Sequence, residues 1–240
     1  MIGRAVLLAA GRGTRLGELT AETPKPLLQV GRRPIIVRIM DGLVRARIEE
    51  FAIVTGYLAA KVEYELGNGA QAGVSVRYFR QERQEGTARA LALAREFVGE
   101  EKCFFGWGDI VVRPENYRAV IKAGTLADAA IAVNEVDDPY AGAAVYFGED
   151  RVVTRMVEKP ARGSSSTRWN NAGFGVLGPG IWPEIERLAP SEGGEYDLPR
   201  AIAALAVGGA RVVAVPVEGP WFDIGTVESL AAARREFGDG

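Results

Sequence analysis

Two glycines and three cations crowd the first part of the chain, in Gly11-Arg12-Gly13-Thr14-Arg15-Leu16 and, shortly after, Pro24-Lys25-Pro26-Leu27. Glycines there let the backbone come close to a ligand and take up positive φ, so that successive N–H groups can point at phosphate oxygens. Arg12, Arg15 and Lys25 bring charge to the same spot, and a lysine locked between two prolines is a stiff mount for it. Such a grouping suits a triphosphate. The residues before it, Arg4-Ala5-Val6-Leu7-Leu8-Ala9-Ala10, form a nearly uninterrupted apolar run that ends at a glycine. That is the pattern of a strand buried on both faces of a parallel sheet, and ligands of such sheets sit beyond the carboxyl ends of the strands.

A glycine turn after a strand is not specific by itself, and two familiar loops fail here. A dinucleotide-binding turn would carry glycine or alanine where Leu16 stands, and a Walker A loop needs Gly-Lys-Ser/Thr, whereas Thr14 is followed by Arg15. The order Gly-x-Gly-Thr-Arg-Leu and then Pro-Lys-Pro-Leu closely resembles the sugar-1-phosphate nucleotidyltransferases, the nucleoside-diphosphate-sugar pyrophosphorylases. The resemblance continues in order from about Ile2 to Leu230.

It implies an α/β fold: a Rossmann-like, mostly parallel sheet flanked by helices, with a smaller antiparallel sugar-binding portion capping one side. One nucleotidyltransferase domain is expected over 1–240, its nucleotide-binding part about 1–125 and its sugar-binding part about 126–240. The implied reaction moves a nucleotidyl group from a nucleoside triphosphate, UTP or dTTP favoured, to a sugar 1-phosphate by direct in-line displacement, giving an NDP-sugar and pyrophosphate. A CTP- or GTP-using enzyme, one acting on alditol or choline phosphate, and a silent nucleotide-sugar sensor are the alternatives. Retention of Arg15, Lys25, Asp109, Lys159 and Asp223 argues against the sensor.

The resemblance assigns Arg15 and Lys25 to the triphosphate and the leaving pyrophosphate, in agreement with their charge, and Lys159 joins them in the catalytic set. Leu8, Ala10, Gly11, Gly13, Thr14, Arg15, Gln81, Gly86 and Thr87 are the expected nucleotide contacts. Gln81 stands five residues ahead of Gly86-Thr87, where the family reads pyrimidines. A side-chain amide donates and accepts at once, as the edge of uracil or thymine requires; Gln84 is a competing candidate. Magnesium is implied because transferring phosphates need a divalent cation, and its expected ligands are Asp109 in Gly106-Trp107-Gly108-Asp109 and Asp223 in Trp221-Phe222-Asp223-Ile224. Taken singly, an aspartate at a strand end is more often a turn former. Glu158 and Lys159 resemble the family's Glu-Lys-Pro, the glutamate accepting sugar hydroxyls and the lysine pairing with phosphate. Asn171 and Gly142 complete the expected sugar contacts, while Glu195-Tyr196-Asp197, similar to an acidic segment of the family, reads as scaffold or as support behind the residues that touch the ligand.

Composition narrows the chemistry further. The chain has 29 basic and 31 acidic residues, no histidine and one cysteine. A balanced charge implies no nucleic-acid partner; the missing histidine removes histidine triads, and with one cysteine there is no disulfide and no ordinary zinc site. Cys103, in an apolar run, reads as a packed thiol. No apolar run approaches the ~20 residues of a membrane span, so a cytoplasmic enzyme is expected, with nucleoside triphosphate and sugar 1-phosphate as partners and a homodimer admitted.

The elements that must position these residues follow from periodicity. Strands are expected at Phe51–Val54, Val74–Phe79, Lys102–Phe105 and Ala129–Val136, alternating with helices at Pro34–Ala46, Leu58–Leu66, Thr87–Phe97 and Glu115–Ala123. Further strands are expected at Ala143–Phe147, Val152–Val157, Ala172–Leu177 and Arg211–Val217, with helices at Trp182–Leu188, Leu198–Val207 and from Val227. Repeated β-then-α units imply a right-handed, mostly parallel sheet. Gly163 to Thr167 reads as a mobile loop.

Overall fold

The computed structural model describes residues 2–238. Its strands and helices run β1 (Arg4–Ala9), β2 (Gln29–Val30), β3 (Arg33–Pro34), α1 (Ile35–Arg45), β4 (Glu50–Thr55), α2 (Ala59–Leu66), β5 (Ser75–Arg80), α3 (Thr87–Ala92), α4 (Arg95–Val98), β6 (Cys103–Trp107), β7 (Ile110–Val112) and α5 (Pro114–Leu126). There follow β8 (Ala129–Glu135), β9 (Ala143–Phe147), β10 (Val153–Glu158), β11 (Trp169–Leu177), α6 (Ile181–Arg187), α7 (Leu198–Val207), β12 (Val212–Pro216), β13 (Trp221–Asp223) and α8 (Val227–Phe237).

The principal sheet orders its strands β10-β9-β11-β6-β1-β4-β5, with β8 beside β11 and β12 beside β8. β1 lies at its heart, parallel to both β4 and β6, as its uninterrupted apolar sequence requires. Neighbouring residues of a strand feed opposite faces, so Leu7 and Phe104 belong to one apolar cluster and Val6 and Phe105 to the other. α1 covers the first face with Ile35, Ile36, Ile39, Met40 and Leu43, all buried.

The antiparallel portion is not a separate layer. β11 runs antiparallel to β6 from Phe174↔Gly106 to Leu177↔Cys103 and antiparallel to β8 along its other edge, so the two parts share one sheet. β11 begins at Trp169, three residues earlier than its apolar pattern suggests.

Two expectations need adjustment. The single helix over Thr87–Phe97 is two, α3 and α4, because tighter bonds from Leu93 to Ala90 and from Ala94 to Leu91 interrupt the ladder and bury Ala94. The segment Gly163–Thr167 has no regular structure but is pinned: Gly163 N–H donates to Asp138 Oδ2 at 2.8 Å and Thr167 Oγ1 to the Val145 carbonyl at 3.1 Å. Among the described residues, no helix is long and apolar enough to cross a membrane.

Candidate active site

Beyond the carboxyl ends of β1 and β6 the surface opens into a cleft of about 600 Å³. Leu8, Ala10, Gly11 and Arg15 come to it from β1 and the glycine loop, and Gln81, Gly86 and Thr87 from the approach to α3. Asp109 and Asp223 lie on one wall, and Gly142, Glu158, Lys159 and Asn171 come from the antiparallel portion. Gly13, Thr14 and Lys25 are not part of the lining. Gly13 instead adopts left-handed φ of 67°, and a Cβ there would lie 3.2 Å from Lys25 Cβ and Thr20 Cγ2; it lets the loop close on the lysine. Gly11 stays outside the positive-φ region, so of the two expected left-handed glycines one is realised.

Lys25 is buried in the short turn Lys25–Leu27. Its ammonium ion-pairs with Asp109 and stands 3.8 Å from Asp223 Oδ1. What brings the carboxylates together is a ribbon: β7 and β13 pair antiparallel with Asp223 opposite Ile110, and the Ile224 N–H donates to the Asp109 carbonyl at 3.1 Å. The Asp223 carboxyl is raised above its ordinary range by burial first and then by the charge of Asp109, while Lys25 and Arg15 act in the opposite direction. Arg15 is seated against the bare backbone of Gly225, where a Cβ would come 2.7 Å from Nη2. Two carboxylates crowded beside two cations form an electrostatic frame that a metal-bound polyphosphate would complete. Among the described residues no group of three or more His, Cys, Asp or Glu side chains could hold an ion; a pair suits a cation that takes its remaining ligands from phosphate and water.

The base-side residues are tied to the far half of the chain. Gly86 has φ of 99°, and a Cβ on it would lie 2.6 Å from the Tyr196 backbone nitrogen and oxygen. That closeness permits a row of bonds: Tyr196 N–H to the Glu85 carbonyl, Ala88 N–H to the Tyr196 carbonyl, each 2.8 Å, and Leu198 N–H to Thr87 Oγ1 at 2.9 Å. Gln81 donates one amide hydrogen to the Gly86 carbonyl at 3.3 Å, and Gln84 donates to the Ala10 carbonyl at 3.2 Å.

On the sugar side, Lys159 holds a non-glycine left-handed φ of 42°, fixed by its N–H bond to the Gly142 carbonyl at 2.7 Å. Strain of this kind is retained where surroundings over-determine it. Its ammonium lies 3.9 Å from both Glu158 Oε1 and Glu195 Oε2. The Glu158 carboxyl is pushed up to about 7, by burial first and then by Asp197, with Glu195 adding to the rise and Lys159 and Arg200 opposing it. Asn170 knits the wall: its Oδ1 accepts from Ala143 N–H at 3.1 Å, and its Nδ2 donates to Asn134 Oδ1 at 3.1 Å and the Asn171 carbonyl at 2.9 Å. A Cβ at Gly142 would strike Asn170 Oδ1 at 2.2 Å.

Sequence reasoning missed part of the lining. Glu195 and Asp197, read as scaffold, face the cleft, as do Trp107, Asp138 and Asn170. Asp197 is 7% exposed; its position ahead of the apolar start of α7 reads equally well as a helix cap, which is why spacing did not single it out.

The fold and this frame of paired cations and carboxylates define an α/β protein with a charged cleft at the carboxyl ends of its central strands. Comparison makes that specific: residues 4–239 match the nucleotidyl transferase family model, and the chain belongs to that family. It is 32% identical over 245 residues to the UTP–glucose-1-phosphate uridylyltransferase AglF of Haloferax volcanii, covering 97% of this chain and 95% of that one. It is 28% identical over 234 residues to a glucose-1-phosphate thymidylyltransferase of Streptomyces antibioticus, covering 97% of this chain and 65% of that protein. A crystal structure from Bacillus anthracis in complex with a sucrose, provisionally assigned as a glucose-1-phosphate thymidylyltransferase, superimposes with a TM-score of 0.89 at 28% identity, over 99% of this chain and 96% of that one. The chain spans between 54% and 65% of the length of other curated relatives that it matches.

Proposed function

We propose that the protein joins a nucleoside triphosphate, UTP or dTTP, to a hexose 1-phosphate with release of pyrophosphate. One observation carries the reading: Asp109, Asp223 and Arg15 line one wall of a cleft, with the buried Lys25 behind the two carboxylates, and the other wall presents Glu158, Lys159 and Asn171. Uridylyl- and thymidylyltransferases among the relatives support the nucleotide choice. In this reading a phosphate oxygen of the sugar phosphate attacks the α-phosphorus in line with the departing pyrophosphate, forming one P–O bond as the other breaks, with no covalent enzyme intermediate.

Arg15 and Lys25 neutralise the triphosphate and the leaving group, and Lys159 holds the attacking phosphate. Gln81 keeps an amide hydrogen and its carbonyl oxygen for the base, Leu8, Ala10 and Gly11 line the nucleotide, and Glu158 accepts sugar hydroxyls. Gly13 and Thr14 shape the loop without lining the cleft. Asp109 and Asp223 would hold Mg²⁺, which neutralises charge developing on the phosphates. The parts up to about 125 and from 126 act as one domain, an assignment supported by the shared strand β11. A cytoplasmic enzyme that pairs with a second copy is the cellular form we propose, and light scattering checks the pairing.

The test is a grid of nucleoside triphosphates against sugar 1-phosphates, scored by pyrophosphate release with Mg²⁺ and with chelator. UTP or dTTP with a hexose 1-phosphate should give the highest kcat/KM, and chelator should abolish it. No pyrophosphate from any pair overturns the reading; preference for CTP or GTP overturns the assignment of Gln81.

A further inference from the structure

Asp197 stands at the start of α7, where an aspartate ordinarily caps the helix by accepting from an N–H two or three positions on. Here that role is closed to it. Pro199 has no N–H, the Arg200 N–H goes to the Asp197 main-chain carbonyl at 3.1 Å, and the Leu198 N–H goes to Thr87 Oγ1 at 2.9 Å. The Asp197 side chain makes no cap bond, and among the described residues it has neither a hydrogen-bond donor nor an ion-pair partner. Yet the residue is 7% exposed. A carboxylate buried without donors is costly unless something else supplies them.

What remains open to it is the cleft. Among the described residues, the side-chain oxygens and nitrogens sealed from solvent without a partner belong to Trp107, Ser165, Asn171 and Trp182. The Asp197 oxygens are not among them, so they keep an accessible face, and the residue lines the cleft beside Glu158 and Glu195. Burial raises the Glu158 carboxyl first, and the charge of Asp197 next, so the two groups are near neighbours. Two cations stand against these three carboxylates. Arg200 donates from Nη1 to the Ala189 carbonyl at 2.8 Å and does not line the cleft. Lys159 lies 3.9 Å from both Glu158 Oε1 and Glu195 Oε2, too far for a hydrogen bond to either, and in the proposed reaction its ammonium holds the phosphate.

We propose that the sugar phosphate carries a free amine and that Asp197 is the specificity-determining residue for it: an aminohexose 1-phosphate places its ammonium among Asp197, Glu158 and Glu195, the counter-charge this wall lacks once Lys159 faces the phosphate. An ammonium supplies three donors and a positive charge at once, whereas a hydroxyl supplies one donor and no charge. Acetylation of the amine removes that charge, and a uronic acid adds a further negative one. The inference rests on the reading of the cleft as a nucleotidyl-transfer site for hexose 1-phosphates, of which an aminohexose is one kind.

The native enzyme is assayed at neutral pH by pyrophosphate release, with glucose and galactose 1-phosphates, their monoamino analogues and the N-acetyl form of each. One amino sugar should exceed its parent hexose in kcat/KM by about tenfold or more, and acetylation should remove the gain. If a parent or N-acetyl sugar is preferred to every amino analogue, the inference is overturned while the reaction stands. If no nucleotide and sugar pair releases pyrophosphate, the functional reading fails and takes this inference with it. Asp197→Asn keeps the shape of the side chain and removes its charge. The preference for the amino sugar should then shrink to about twofold or less with KM for the nucleotide unchanged; an undiminished preference overturns the role of Asp197. Because the carboxylate holds no bond in the fold, the variant should melt at or above the native temperature, and a lower melting point would mean that Asp197 is kept for structure.

Discussion

Lys25 is the residue whose surroundings say most about how the site is balanced. It is nearly buried and answers two carboxylates, so Lys25→Ala leaves Asp109 facing Asp223 with only Arg15 nearby. Turnover should fall by ~10²-fold or more. In metal-free buffer the melting temperature should drop by a few degrees, for a loss of about 1–2 kcal/mol in a pair that is partly exposed, and millimolar Mg²⁺ should restore part of it. Arg15→Ala should lower turnover comparably with little thermal effect. At Glu158 the sign is opposite to the usual carboxylate. Its folded-state value, about 7 against an ordinary 4.5, means that the native state holds the extra proton. This contribution to stability is greatest below about 4.5, declines as pH rises toward 7, and is flat above that. Glu158→Gln should remove the slope in denaturant titrations across this range. KM for the sugar phosphate should fall as pH rises through about 7 in the native enzyme and not in the variant. Lys25, Asp109 and Glu158 were legible because motif spacing carries chemistry; Trp107 was not, since the seat of its ring beside the cleft depends on a glycine sixty-six positions further on.

At the level of elements, regular strands and helices followed their periods closely, and the short pieces did not. β7 and β13 hold three residues each and pair across more than a hundred positions, so neither shows an alternation long enough to read. Yet they alone bring Asp109 to Asp223. The break between α3 and α4 was equally hidden, because Leu93 and Ala94 are good helix formers and the interruption comes from packing. Gly173 gives the sharpest check at this scale. With positive φ and an indole 2.1 Å from the place a Cβ would take, Gly173→Ala should destabilise the fold by about 2–4 kcal/mol in denaturant titration and displace Trp107; a neutral substitution would mean that β11 tolerates a regular register there.

For the molecule as a whole, β11 joins the parallel and antiparallel parts in one sheet, so calorimetry should show a single transition rather than two. Saturating UDP-glucose or dTDP-glucose, whichever matches the preferred triphosphate, should raise stability by about 2.7 kcal/mol at a hundredfold excess over Kd. That the second half caps the site was expected from its antiparallel strands; how it is fastened was not, because the bonds between 85–88 and 196–198 leave no trace in residue type beyond Gly86 and the Thr87 hydroxyl. Those few bonds have an outcome for anyone altering the nucleotide choice proposed for this cleft. A loop transplanted at 81–87 from a relative would arrive without the partner strand of chain it is laced to, and the misfit would be felt at Glu195 and Asp197 on the opposite bank. Exchanging one specificity should therefore disturb the other unless 195–198 travels with it.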